Sequence, residues 1–319
     1  MKRDGSESSI RDDSSKLVTV QYDNSKLDLD LVLESLRQDL VVLVQKIGAE
    51  QADRVVYEVA EKFGLRDALE LQAGLAGFYG HRHNIGKHFM SVNTRSDYQF
   101  VTPHSEGSSF TGMQLASFFC QENSTDGGET ILLNVDDSGS GWQSVREQVK
   151  RGRLGDKPLA QHEIVRARGL YQLNLPADML RVDDQILQEH ETKIPGLTVL
   201  DVLAKPVKTY SRVLDRNLNV FWSGVDSADF DSASEYARLL RQAGLLREPP
   251  GGLELRQLDS IAARRLWHSG VEYAQLFKCK VIHKLAQHEL IILNNITWAH
   301  AANNWSPDSG TRKVAASFA

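Results

Sequence analysis

The residues that first suggest chemistry are His104 and Glu106, in the run Pro103-His104-Ser105-Glu106-Gly107. On an extended chain, side chains repeat every two residues, so an imidazole and a carboxylate two apart point to the same face. Such a pair can grip one divalent metal. Two protein ligands do not complete a site, and the candidate for the third is His300, in Asn294-Asn295-Ile296-Thr297-Trp298-Ala299-His300. It follows the apolar run 290–293, which reads as a buried strand leading into a turn. Two histidines and one carboxylate on one face of a metal leave three coordination positions open, the facial arrangement suited to non-haem iron and oxygen. Alone, a His-x-Glu pair in a chain with ten histidines is a weak sign.

Two further features sharpen it. Asp126-Gly127-Gly128-Glu129-Thr130 starts twenty residues after Glu106, and Arg312 stands twelve residues after His300. As an ordered set, His104, Glu106, Thr130, His300 and Arg312 resemble the pattern of the taurine dioxygenase and clavaminate synthase-like superfamily of Fe(II)/2-oxoglutarate-dependent oxygenases. The resemblance covers about residues 100–135 and 288–318. It implies that His104, Glu106 and His300 hold Fe(II) and that Arg312 pairs with the distal carboxylate of 2-oxoglutarate, where its fork suits bidentate recognition. Thr130 would add a hydroxyl hydrogen bond to that carboxylate. O2 would take the last position, and the reaction would hydroxylate, desaturate or cyclise an unactivated C–H of a small metabolite, in secondary metabolism as the first expectation. Iron and cosubstrate would carry the redox chemistry, with the protein supplying placement. Related halogenases have a small residue in place of the carboxylate, so Glu106 disfavours halogenation. The taurine branch carries a second arginine just past the cosubstrate arginine; here that stretch reads Lys313-Val314-Ala315-Ala316-Ser317, which argues against a sulfonate substrate. The alternative is a 2-oxoglutarate-independent metal enzyme on a cupin-like fold, which would keep the triad without needing Thr130 or Arg312.

Other polar clusters read as structure. His81, His83 and His88 form a His-rich stretch expected to be a polar loop, and His283 and His288 are expected to be solvated around a turn. Cys120 ends an apolar run and reads as a core thiol. Trp298 and Trp305 bracket the distal histidine, with core packing at least as good a reading as pocket lining. Arg95 and Asp97 read as a surface pair, and Arg264-Arg265 as an exposed helix face. Gly127-Gly128 precedes a strand, the wrong place for a dinucleotide or phosphate loop.

The elements that must hold these residues are legible in outline. The chain has 319 residues, 41% of them apolar and 25% charged, with net charge −5. That is the composition of a globular protein large enough to bury its own core. The acidic balance and lack of a basic stripe argue against nucleic acid, and no apolar run approaches a membrane span of roughly 18 residues. The first sixteen residues carry no apolar leader. Cys120 and Cys279 read as reduced thiols of a cytoplasmic protein. Residues 1–16 are expected to be a disordered tail, and 17–319 one domain.

Helices are expected over 27–47, 50–63 and, shorter, 67–73; strands over 114–120 and 130–135; a turn at 137–141; a short charged helix at 143–150. Strands are then expected over 164–173, 207–214 and 218–222, helices over 232–244 and 255–272, and strands over 276–282, 289–293 and 312–318. Helices first, many short strands after and a helical insert before the last strands make an α+β plan with a mostly β core. With the resemblance, the expected architecture is a distorted double-stranded β-helix, or jelly roll, with N-terminal helices and a lid-bearing insert at about 136–275. The expected partner is a small-molecule substrate, with neither nucleic acid nor membrane.

Overall fold

The computed structural model describes residues 10–23, 26–76, 83–92, 95, 97–107, 112–221, 228–229, 232–251, 268–269 and 271–319. In chain order the strands are β1 (Leu17–Gln21), β2 (Val41–Gln45), β3 (Met90–Ser91), β4 (Val101–His104), β5 (Leu115–Asn123), β6 (Thr130–Val135), β7 (Glu147–Leu154), β8 (Gln185–Glu191) and β9 (Leu197–Ala204). They continue with β10 (Thr209–Ser211), β11 (Arg216–Leu218), β12 (Ala228–Asp229), β13 (His268–Ser269), β14 (Phe277–His283), β15 (Leu290–Asn294), β16 (Trp298–Ala302) and β17 (Arg312–Phe318). The helices are α1 (Leu29–Arg37), α2 (Ala49–Lys62), α3 (Arg66–Ala76), α4 (Gln161–Tyr171), α5 (Ser232–Gln242) and the one-turn α6 (Tyr273–Leu276).

Two sheets form the β core of this α+β fold. One has the order β1-β2-β15-β5-β17-β3 and the other β14-β6-β16-β4. Phe118 and Cys120 of β5, Leu132 of β6, Val281 of β14, Leu293 of β15, Trp298 of β16 and Phe318 of β17 pack in one cluster, so the sheets lie face to face. Their outer faces are covered too. Ile131, Leu133 and Val135 of β6 and Ala299 and Ala301 of β16 pack under α5 and α6. Val42 and Val44 of β2, Leu115 and Phe119 of β5 and Ile292 of β15 pack under α1, α2 and α3. Burial on both faces explains why β6 and β15 read as unbroken apolar runs instead of alternating ones.

Several expectations need correction. The helix expected over 27–47 is a helix followed by a strand. Asp28 caps α1 by accepting the Leu31 N–H at 3.0 Å, and Asp39 at φ 59° ends it in the left-handed region. The β-branched run Val41-Val42-Leu43-Val44 then pairs in parallel with β1 and antiparallel with β15. The segment 143–150 is no charged helix: a short 3-10 turn (Ser140–Gln143) leads into β7, and Val149 of β7 packs toward the apolar side of β9. The strand expected over 164–173 is the helix α4. The helix expected over 255–272 falls almost wholly outside the described residues. Of the expected tail, 1–9 lie outside the described residues, while Ile10 is buried and Arg11 and Asp13 hydrogen-bond to the backbone of Lys280.

Between β6 and β14 the chain builds a separate three-stranded sheet in the order β7-β9-β8. It has its own small apolar clusters with α4.

Candidate metal centre and anion pocket

His104 ends β4 and stands directly across the ladder from His300 in β16. The ring centroids are 4.3 Å apart. Glu106 lies two residues further on, its Oε2 3.7 Å from His104 Nε2. Ligand atoms of His104, Glu106 and His300 all lie within 4.8 Å of one another, a spacing one divalent ion closes with small side-chain rotations. Among the described residues this is the one cluster of His, Cys, Asp and Glu that fits a metal.

The tautomer of His104 follows from its partner. Nδ1 is 2.8 Å from the Thr102 carbonyl, which can only accept, so Nδ1 carries the proton and Nε2 presents its lone pair toward Glu106. Strand parity aims His300 inward with Trp298, while Ala299 and Ala301 face out. Phe118 and Phe318 pack on its ring at 4.8 and 6.3 Å. The inner side of the cluster is thus apolar and the Glu106 side more open, with side-chain exposures of 6% for His300 and 22% for Glu106.

Thr130 belongs to β6, beside β16, and Arg312 to β17 in the facing sheet. Thr130 opens β6 and pairs with Ala302 in β16. It is buried, and its hydroxyl has no hydrogen-bond partner among the described residues. Arg312 opens β17. As a residue it is half-buried, but burial around its charged end pushes the guanidinium down to about 10, against the smaller upward pulls of Cys120 and Glu129. Its Nε donates to the Gly128 carbonyl at 3.1 Å. Among the described residues no carboxylate comes within ion-pair distance of it. A desolvated guanidinium without a counter-ion, with a buried unpaired hydroxyl at the head of β6, is suited to taking up a carboxylate.

The glycines of Asp126-Gly127-Gly128-Glu129-Thr130 have a geometric reason. A Cβ on Gly127 would lie 2.1 Å from the Asn304 carbonyl oxygen. Gly128 has φ +74°, and a Cβ there would sit 2.8 Å from Arg312 Cδ. Only glycine lets this loop turn its carbonyl onto Arg312.

Sequence reasoning missed three asparagines. The fully buried Asn295 amide accepts the Glu106 N–H at 2.9 Å and donates to the Glu106 and Met113 carbonyls, each at 2.9 Å. Asn303 donates to the Glu129 carboxylate at 2.6 Å. The Asn304 side chain donates to the carbonyls of Tyr98 and Arg247, both at 2.9 Å, and its own carbonyl accepts the Gly128 N–H. The one available signal was position: paired asparagines directly after the apolar runs of β15 and β16.

The remaining expectations divide. Trp298 is fully buried and donates to the Asp39 carbonyl at 3.3 Å. Cys120 is a core thiol pushed up to about 11, chiefly by burial. His288 is exposed at a turn with φ 65°. His283 is not merely solvated, because its Nε2 lies 2.8 Å from Glu289 Oε2. His88 is not a loop residue in solvent: it is buried, with Asp53 3.6 Å and Glu70 3.5 Å from its two ring nitrogens. Arg95 is no plain surface pair, since its guanidinium lies 5.4 Å from the Trp305 ring that Arg312 approaches at 6.0 Å. His81 and Arg264-Arg265 lie outside the described residues.

No family model matches the chain, and no curated protein matches it. Solved structures do. The chain is similar to AAD-2 in complex with Mn(II) and N-oxalylglycine, at 13% identity and TM-score 0.39 over 97% of this chain and 96% of that one. It is similar to PvcB, an Fe, alpha-ketoglutarate-dependent oxygenase from an isonitrile synthetic pathway, at 12% identity and TM-score 0.40 over 99% and 93%. A taurine dioxygenase from Burkholderia xenovorans overlaps at 11% identity and TM-score 0.39 over 94% and 85%.

Proposed function

We propose that this chain is an Fe(II)- and 2-oxoglutarate-dependent oxygenase acting on a small-molecule substrate. The observation that carries the reading is a His-Glu-His cluster on one sheet together with, on the facing sheet, a desolvated guanidinium that has no carboxylate partner among the described residues. The strand pattern supports a distorted jelly roll, because β3, β4, β5 and β6, and then β14 to β17, pass between the two sheets in the way that fold requires.

The residues present fit the groups. His104, Glu106 and His300 would hold Fe(II) and leave a face open. Arg312 and Thr130 would bind the distal carboxylate of 2-oxoglutarate, the first by charge and fork geometry and the second by its hydroxyl. Bound iron and cosubstrate supply the oxidation of an unactivated C–H, with O2 as the second cosubstrate. The chain orients them: the Thr102 carbonyl fixes the His104 tautomer, Phe118 and Phe318 fix the His300 ring, and Gly128 steadies Arg312. Hydroxylation is the default outcome, with desaturation or ring closure open to the same oxidant. Secondary metabolism in the cytoplasm is the setting we infer, with residues 17–319 as one catalytic domain.

Anaerobic absorbance of the purified protein tests this. With Fe(II) and 2-oxoglutarate together, a weak visible charge-transfer band is expected that neither gives alone and that Arg312→Ala weakens. Bound Fe(II) with no such band would point instead to the 2-oxoglutarate-independent metal enzyme.

A further inference from the structure

The three metal-binding side chains are not held in the same way. His104 and His300 sit on hydrogen-bonded strands, directly opposite each other. Glu106 lies two residues past the end of β4, where the ladder has stopped. There one side chain meets both its backbone N–H and its backbone carbonyl. The Asn295 amide accepts the Glu106 N–H and donates to the Glu106 carbonyl, both at 2.9 Å, as a neighbouring strand would. The second N–H of the same amide goes to the Met113 carbonyl at 2.9 Å, and the Asn295 backbone N–H goes to the Gln114 carbonyl at 2.8 Å. Asn295 is 0% exposed, so no water can replace these bonds. A primary amide carries both donor and acceptor at this spacing, whereas a carboxylate or a hydroxyl lacks one or more of the bonds required.

Resting on the metal-site reading above, we infer that Asn295 is the positioning residue of the carboxylate ligand. It takes the place of a strand partner for the Glu106 backbone and sets where that carboxylate stands relative to the two imidazoles. Its place in the chain makes the coupling direct. Asn295 lies in the turn between β15 and β16, five residues before His300. The element that delivers the third ligand therefore also aligns the second.

The test is Co(II) binding, read from its d–d absorption, in wild type, Asn295→Ala, Glu106→Ala and the double variant, with near-UV circular dichroism as the check of folding. Partners that orient a ligand typically change metal affinity by about 10- to 100-fold. Asn295→Ala is expected to weaken Co(II) binding at least tenfold and to alter the band shape. In the Glu106→Ala background, where the two histidines still hold Co(II) weakly, the same change is expected to alter affinity less than about threefold, because no carboxylate remains to align. If Asn295→Ala does not fold, Asn295→Ser takes its place with the same expected ratio. A folded Asn295 variant that binds Co(II) within twofold of wild type overturns the inference, as does an equal loss in both backgrounds. Wild-type protein that binds no Co(II) overturns the metal-site reading itself, and the inference with it.

Discussion

Arg312 should reveal its role through two effects of opposite sign. Each tenfold change in a protonation equilibrium is worth about 1.4 kcal/mol. The drop of its guanidinium from 12.5 to about 10 therefore corresponds to roughly 3 kcal/mol held against the charged form in the fold. Arg312→Met removes that charge and keeps the length of the stem. It also strands the Gly128 carbonyl, which accepts from Nε and whose loss returns about 1 kcal/mol. The ligand-free protein should thus gain about 2 kcal/mol, or a Tm higher by about 2–4 °C for a chain of this size. Binding should move the other way. Two charge-assisted hydrogen bonds to a buried carboxylate are worth about 3–4 kcal/mol, so affinity for 2-oxoglutarate should fall roughly 100- to 1,000-fold. The assay is thermal unfolding of both proteins without ligand and with Mn(II) plus 2-oxoglutarate. Wild type should be stabilised by the addition and the variant should not. A ligand-free variant that melts lower than wild type would show a structural arginine already satisfied by the protein. A variant that still binds 2-oxoglutarate within threefold would remove it from the pocket.

Thr130→Val is nearly isosteric and removes a buried hydroxyl that has no hydrogen-bond partner among the described residues. Stability without ligand should be unchanged or rise by up to about 1 kcal/mol, while 2-oxoglutarate affinity, by calorimetry, should fall about three- to tenfold. Glu289 lies inside the fold; burial alone would raise its carboxyl, but hydrogen bonds from the Ala286 N–H, His283 and Gln45 hold it below the ordinary 4.5. A lowered carboxylate stabilises the fold above its unfolded pKa and loses that contribution as pH falls through the folded value. Glu289→Gln should therefore lower Tm at pH 7 and converge with wild type as pH falls below the ordinary carboxylate range; a constant gap between their Tm–pH curves would refute the assignment.

Much of the β core was legible because its pattern is local. Strands β6 and β17 begin and end where their apolar runs do, and β5, β14 and β15 differ by a residue or a few. The triad was legible for the same reason: His-x-Glu is a two-residue repeat, and His300 follows an unmistakable buried strand. The failures came where tertiary pairing overrode local pattern. Leucines on both sides of Asp39 made one helical stripe, although the valine run after it belongs beside β15. The charged β7 is a strand because β9 supplies its pairing and its apolar backing. The asparagine clamps were invisible for a different reason. Asparagine in a turn is ordinary, and only burial shows that Asn295 and Asn304 spend their amides on other segments' backbones.

These clamps give the site a unity that its spacing along the chain conceals. Between Asn295 and Arg312 the chain supplies the amide that holds the Glu106 backbone, then His300 itself. It next supplies the Asn303 amide that donates to Glu129 and the Asn304 backbone carbonyl that accepts from the Gly128 N–H, and finally the guanidinium whose Nε donates to the Gly128 carbonyl. The residues from the first half of the site, Glu106 and the Asp126–Thr130 loop, are each held by a side chain or backbone group from this one stretch. Its strands β16 and β17 lie in opposite sheets. A shift of one sheet against the other would therefore separate His104, Glu106 and His300 from Arg312, and the same shift would strain the bond from Arg312 Nε to the Gly128 carbonyl, which joins β17 to the loop before β6. That bond thus ties the two sheets, while the Asn304–Gly128 contact, where a Cβ on Gly127 has no room, prolongs the β6–β16 ladder within one of them. The guanidinium is in this way set relative to the three side chains, the span the proposed dicarboxylate would bridge, through a loop whose glycine packing holds it in place.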